Sequence, residues 1–328
     1  MDRRRFLLTS LAGSLAAPRA VEAQPARSGT SPVHVGVLHY GNVSVPGVLR
    51  AFHSRLAEHG YVTDRNLVID LRYADGRREK VPGYLAELLS LGARVIIAVG
   101  PYVLRIVNNL ETTVPIVAID LESDPVAAGF AKSLARPGGN VTGTFLDQAD
   151  LVGKWLQLLR QINPRLSRVA VIWDSSTPSY QLEAFKTSAR SIAVEFETIA
   201  IGRGEDFTGA FVAAARARAE AAVILSSPLV SSYGDILASL SVAEHLPTVS
   251  MFRENVTAGC LMAYGPSVVD GWARLGSFAG RILNGAKVPD LPIERPTTFE
   301  LAINLRTATS LGLTIPPSLL AQADQVIQ

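Results

Sequence analysis

A single cysteine, Cys260, in a chain of 328 residues excludes a disulfide framework, so a hydrophobic core alone must hold the fold together. Catalytic and cofactor motifs are missing as well. There is no HExxH, no CxxC, no P-loop and no G-x-G-x-x-G after a strand, and Gly202-Arg203-Gly204 lacks the third glycine. The five histidines (His34, His39, His53, His59, His245) are scattered, and no serine sits in a nucleophile-elbow pattern. Charge imbalance is also lacking. Beyond residue 23 the chain carries 27 basic and 27 acidic residues, which leaves no electrostatic footprint for nucleic acid. Together these absences point away from an enzyme, a cofactor carrier, a metal site and a DNA-binding protein.

The most pronounced local signal is N-terminal. Arg3-Arg4-Arg5 precedes a short apolar run over 6–17, and Val21-Glu22-Ala23 offers small residues where a signal peptidase reads. Residues 1–23 are therefore expected to be an export signal of twin-arginine type, cleaved before Gln24, with the mature protein in the periplasm. The apolar run is shorter than the roughly 20 residues that span a bilayer. Cys260 lies far from the signal, so no lipid attachment is expected at the processed N-terminus.

After the signal, the composition (48% hydrophobic, 18% charged) and the length suit two domains with sizeable cores. Short β-branched runs alternate with stretches of helical spacing. Strands are predicted at 33–38, 67–73, 95–99 and 114–119, with helices at 46–59 and 81–91 between them. A passage over 121–144, LESDPVAAGFAKSLARPGGNVTGT, leads out of this unit, and the rhythm resumes with a helix at 150–162. Strands follow at 168–173, 195–201, 221–225 and 248–252, then 260–264 and 299–305, with helices at 179–193, 207–219, 233–245 and 268–284. The fold class is α/β, two Rossmann-like lobes with parallel sheets and a ligand cleft between them.

In open parallel sheets ligands sit beyond the carboxyl ends of the strands. Residues directly after each predicted strand are thus the candidates: His39 and Tyr40, Gly100 and Tyr102, then Asp120, Glu122, Ser123 and Asp124. From the second unit come Asp174, Tyr180, Ser226, Tyr233, Arg253 and Tyr264. Five of the eight tyrosines fall on this edge, as suits a flat or aromatic ligand. The candidate ligand-binding set is Tyr40, Gly100, Tyr102, Ser123, Asp124, Asp174, Tyr180, Ser226, Arg253 and Tyr264. Arg253 is read as a grip for a carboxylate. Asp124, ahead of Pro125, and Asp174 are equally readable as helix caps, and Ser226-Ser227-Pro228 as a helix start.

Residues 124–129, DPVAAG, with 133–143, SLARPGGNVTG, resemble the signature of the ABC transporter substrate-binding family that includes tryptophan and tyrosine uptake proteins. Residues 259–266, GCLMAYGP, and 299–305, FELAINL, through 311–317, LGLTIPP, are similar to its later motifs. The resemblance implies a periplasmic-binding-protein type I fold with three crossings between lobes. It divides the chain into an N-terminal lobe, 33–145 and 259–290, and a C-terminal lobe, 146–258 and 291–328. It also implies a monomer that delivers a small solute to an inner-membrane ABC permease with its ATPase, and a periplasmic sensor of the same fold is the alternative. Two departures shape the ligand. Gly100-Pro101-Tyr102 replaces a Gly-Thr-Pro-Ala turn, and Trp173-Asp174 replaces a Trp-Asn pair, exchanging an amide for a carboxylate. The expected ligand is a small planar or aromatic solute, an aromatic amino acid or aromatic acid.

Overall fold

The structure is a computed structural model that describes residues 31–42, 47–109, 113–146 and 149–328. The expected export signal and its cleavage position lie outside the described residues. Among those described, two sheets form. The first is wholly parallel: β1 (Val33–His39), β2 (Leu67–Tyr73), β3 (Val95–Val99), β4 (Ile116–Asp120) and β5 (Val141–Phe145), in the order β2-β1-β3-β4-β5. The central runs VIIAV and IVAID are buried throughout, as expected for strands covered on both faces.

The second sheet contains β6 (Arg168–Asp174), β7 (Glu195–Ile201), β8 (Ala221–Ile224), β9 (Thr248–Ser250), β10 (Met262–Pro266), β11 (Phe299–Asn304) and β12 (Gln325–Ile327). Its order is β12-β11-β10-β9-β8-β6-β7, and only the β10–β11 pair is antiparallel. Both sheets reverse their strand order beside their first strand. Chain direction switches between β1 and β3 in one and between β6 and β8 in the other, and each switch opens a crevice at the carboxyl ends.

Two boundaries differ from the expectation. Met262–Pro266 was assigned to the N-terminal lobe, but β10 pairs with β9 and β11 in the second sheet. The helix after it, Val268–Leu283, returns to the first lobe, and residues 291–294, expected in the C-terminal lobe, stay there along β5, the Ile293 N–H donating to the Leu134 carbonyl at 2.8 Å. There Trp272 packs edge-on against Phe52 at 6.0 Å and stacked on His39 at 6.2 Å, and a Cβ at Gly276 would lie 2.5 Å from the Phe52 carbonyl oxygen. Periodicity identified both elements but carries no information on which sheet a strand joins. The chain then runs along β5, where Glu294 bridges Thr144, before entering β11.

The passage between β4 and β5 holds no helix. Pro125–Gly129 makes a turn, the Ser133 hydroxyl closes a loop by accepting the Arg136 amide at 3.1 Å, and the Asn140 amide nitrogen donates to the Val114 carbonyl at 2.6 Å. β5 was not anticipated from sequence because VTGTF has no apolar run. Gly143 has φ of +136°, and a Cβ there would lie 2.0 Å from the Ala118 carbonyl oxygen, so the neighbouring strand occupies the space a side chain needs. Replacing it combines a backbone clash with a disfavoured φ. Gly143→Ala is expected to cost about 3 kcal/mol or more and to lower the thermal midpoint by several degrees, measured by calorimetry. An unchanged midpoint would show that β5 does not pack as described.

Candidate functional site

The carboxyl edges of the two sheets face each other and touch. The Ser226 hydroxyl, directly after β8 and Leu225, donates to Glu122 Oε1 at 2.5 Å across the lobes. The backbone N–H of Asn42 donates to Ser232 Oγ at 2.8 Å, and that hydroxyl donates back to the Asn42 carbonyl at 3.0 Å. Tyr233 donates to Asp75 Oδ1 at 3.3 Å. Glycine permits this approach: a Cβ on Gly41 would sit 2.2 Å from the Pro228 carbonyl oxygen, and one on Gly100 would sit 2.4 Å from Pro228 Cγ. The lobes are therefore closed on one another.

Three carboxylates are sealed at this junction. Asp120 ends β4, Glu122 follows two residues later, and Asp174 ends β6; none has more than 2% of its surface exposed. Asp120 Oδ1 accepts the Glu122 amide at 3.0 Å and Asp174 Oδ1 accepts the Ser176 amide at 2.8 Å, while Oδ2 of each has no hydrogen-bond partner. The Ser123 hydroxyl is likewise buried and unpartnered. Burial pushes the Asp120 carboxyl up to about 6. Burial, reinforced by the charges of Asp120 and Asp174, holds Glu122 well above the usual carboxylate range, and burial raises Asp174 as well.

An aromatic and cationic wall adjoins them. Tyr40 is buried, donates its hydroxyl to the Gly76 carbonyl at 2.9 Å, and has its ring 5.3 Å from that of Tyr102. Arg78 lies over the Tyr102 ring at 5.5 Å, and its charge reaches both Tyr40 and Asp174. Gln181 fixes Ser226 from behind. Its amide nitrogen donates to the Ser226 carbonyl at 2.8 Å and its amide oxygen accepts the Ser226 N–H at 2.9 Å.

Of the residues expected from sequence, Tyr40, Gly100, Tyr102, Ser123, Asp174 and Ser226 gather at this junction. Others are engaged elsewhere. Asp124 accepts the Val126 and Ala127 amides at 2.8 and 3.1 Å, so it caps a turn rather than a helix. Arg253 donates to Glu300 Oε2 at 2.7 Å, a partner supplied by the antiparallel strand β11. Tyr264 stacks on Phe299 at 6.0 Å beside Lys154, and Tyr180 stands half-buried at the head of the helix Tyr180–Ser191. Ser227 does start a helix, its hydroxyl accepting the Val230 amide at 3.0 Å. His39 is buried against Trp272, and burial lowers its imidazole to about 4, which keeps it neutral.

Sequence reasoning noted Asp120 and Glu122 as strand-end positions without selecting them, although two acids closing an apolar strand were signal enough. Arg78 and Gln181 lie within helical segments, and nothing in their neighbourhood announces a role.

Two α/β lobes closed over a polar, partly aromatic junction define a bilobal solute-binding protein. The chain matches the family of ABC transporter substrate binding proteins over residues 42–327, and it belongs to that family. It is 23% identical over 268 residues to the tyrosine-binding protein of Clostridioides difficile (strain R20291), covering 80% of this chain and 76% of that one. Among solved structures, the ABC domain in complex with L-Trp from Streptococcus pneumonia superposes with a TM-score of 0.81 at 24% identity, covering 90% of this chain and all of that one. A ligand-free, open substrate binding protein with adhesive properties from Clostridium difficile gives 0.60 at 22% identity, covering 90% and 99%. The fold is that of periplasmic-binding proteins of type I, and the family is non-enzymatic.

The raised carboxyls give a signed pH dependence. Asp120 titrates higher in the folded protein than in the unfolded chain, so its ionisation opposes folding. The penalty is absent below about pH 4 and is complete once pH has risen through about 6. Asp120→Asn is therefore expected to stabilise the solute-free protein at pH 7.5, by up to about 3 kcal/mol, and to change nothing at pH 4. Thermal unfolding of both proteins at the two pH values measures the difference. Equal midpoints at pH 7.5 would mean that the carboxyl is solvated.

Proposed function

We propose that this protein is the extracytoplasmic solute-binding component of an ABC importer. It binds a small planar or aromatic solute between its lobes, an aromatic amino acid or aromatic acid, and delivers it to a membrane permease. The observation that carries the reading is the junction itself, where polar oxygens buried without partners lie beside the Tyr40–Tyr102 pair, at the crevice where parallel sheets bind ligands. The tyrosine named for the C. difficile relative and the L-Trp bound in the S. pneumonia structure support an aromatic solute. Among the described residues no helix is long and apolar enough to cross a membrane. The arginine-led N-terminal segment supports export to the periplasm with cleavage before Gln24.

Closure explains how such a protein works. A solute bound on one lobe offers the other lobe its partners, and direct lobe-to-lobe bonds such as Ser226–Glu122 then add to the closed form. A permease reads the closed surface as the loaded state. The test is a thermal-shift panel of aromatic amino acids, aromatic acids, purines and sugars on the purified mature protein. A specific binder at a hundredfold excess over its Kd stabilises the fold by about 2.7 kcal/mol. Shifts confined to aromatic amino acids or acids are expected, and shifts confined to sugars or purines would contradict the aromatic reading.

A further inference from the structure

We infer that the N-terminal lobe carries a second ligand site, separate from the lobe junction, which takes a phosphate group between Arg55, Arg274 and Arg281. The site shares no residue with the junction, so it is independent of the solute-binding reading above.

The site is a groove of about 420 Å³ along the helix Val268–Leu283, lined also by Arg55 of the first helix, Val48–Glu58, and by Glu294 beside β5. Helical spacing gathers its lining. Ser277 and Phe278 stand three and four residues after Arg274, and Arg281 follows them by four and three, so all four share one face. Arg274 and Arg281 lie about 5 and 6 Å along the axis from Ser277, within reach of side chains of their length. Glycine brings in the third arginine. A Cβ on Gly276 would sit 2.5 Å from the Phe52 carbonyl oxygen and 2.9 Å from Arg55 Cβ, and one on Gly280 would sit 2.5 Å from the His59 ring. The two helices therefore meet backbone to backbone, and the stem of Arg55 stands against the groove.

Charge and open donors call for an anion. Three guanidinium groups line the groove against two carboxylates, Asp270 and Glu294. Glu294 is paired with Arg274 at 2.5 Å, and Asp270 lies one turn before Arg274, about 10 Å along the axis from Ser277. Positive charge is thus left at the end around Arg281. Among the described residues Arg281 has no carboxylate partner, and its guanidinium stands 5.9 Å from the centre of the Phe278 ring. The other two each engage an acid through one nitrogen. Arg55 Nη1 donates to the two oxygens of Glu58, outside the groove, at 3.2 and 2.9 Å, and Arg274 Nη1 donates to Glu294 Oε2. A guanidinium has five N–H donors, so Nε and Nη2 of both remain for a ligand. A phosphate matches this set better than a carboxylate does. It brings up to two charges and three acceptor oxygens to three planar forks and a hydroxyl, whereas a carboxylate brings one charge and two oxygens. The volume of the groove is that of a small-molecule site, so it admits the free ion and a phosphate ester with a small organic body.

Isothermal titration calorimetry of the mature protein with inorganic phosphate, glycerol 3-phosphate and acetate tests the site. Ionic strength is held constant with chloride, because exposed charges are screened by salt, and the pH is about 8, above the second phosphate pKa of about 6. Saturable binding of phosphate or its ester at one site per chain is expected, at least tenfold tighter than acetate. Tighter binding of the free ion identifies it as the ligand, tighter binding of glycerol 3-phosphate identifies an ester, and equal affinity assigns recognition to the phosphate group alone. Arg281→Ala and Arg55→Ala are each expected to weaken the binding at least tenfold without lowering the thermal midpoint, since both residues are exposed and the Arg55–Glu58 pair is a surface one. Acetate binding as tightly as phosphate, no saturable binding at millimolar concentration, or unchanged affinity in both variants overturns the site.

Discussion

The constraint behind the rest of this structure is the desolvation of acidic groups where two sheets meet edge to edge. A carboxylate loses several kcal/mol of hydration on burial unless charge or hydrogen bonds replace the water. Here Asp120, Glu122 and Asp174 are buried together where the lobes meet, and each is compensated only in part: Asp120 and Asp174 by one backbone amide apiece and Glu122 by the Ser226 hydroxyl from the other lobe. The closed form is thus held in balance between direct contacts at the rim and unmet acceptors inside. That balance is what makes closure sensitive to a solute, because a ligand need supply only the difference between the two states.

The surrounding architecture keeps those few groups in place. Strand order puts Tyr40 and Gly100 beside the switch between β1 and β3, and Asp174 and Ser226 beside the switch between β6 and β8. Gln181 holds the backbone at Ser226 with two hydrogen bonds, so the hydroxyl that reaches Glu122 starts from a fixed point. Crossings between the lobes are anchored at both sides. Trp155 Nε1 donates to the Tyr264 carbonyl at 2.7 Å, and Arg274 pairs with Glu294 at 2.5 Å where the chain leaves the first lobe. The segment resembling the family signature serves the same end by threading β5 against β4, with Gly143 flattened on Ala118.

The alternation of apolar runs and helical spacing sufficed to read two α/β lobes, because buried strands such as VIIAV and IVAID are unbroken and their helices have clear faces. β5 escaped because threonine and glycine hide a strand that is buried through backbone contact rather than side-chain bulk. The sheet membership of β10 escaped because pairing is a long-range choice that its five residues do not encode. Of the strand-end residues expected from sequence, Tyr40, Asp174 and Ser226 do meet at the junction of the lobes. The sequence could not show that Arg253 pairs with Glu300, 47 residues away on β11, nor that Arg78, from a short helical turn rather than a strand end, stands beside the junction. Local pattern thus located the edge, while the partnering of each charge needed the fold.

The central claim is that the lobes close with Asn42 against Ser232 over a buried acidic junction. Asn42→Cys with Ser232→Cys tests it most directly, since the one native cysteine, Cys260, is fully buried and burial pushes its thiol up to about 12. Mild oxidation of the double variant is predicted to give an intramolecular disulfide, seen as a faster-migrating monomer under non-reducing conditions, and to do so faster in the presence of a bound solute. Failure of the pair to cross-link within one chain, with or without solute, would contradict the closed arrangement described here.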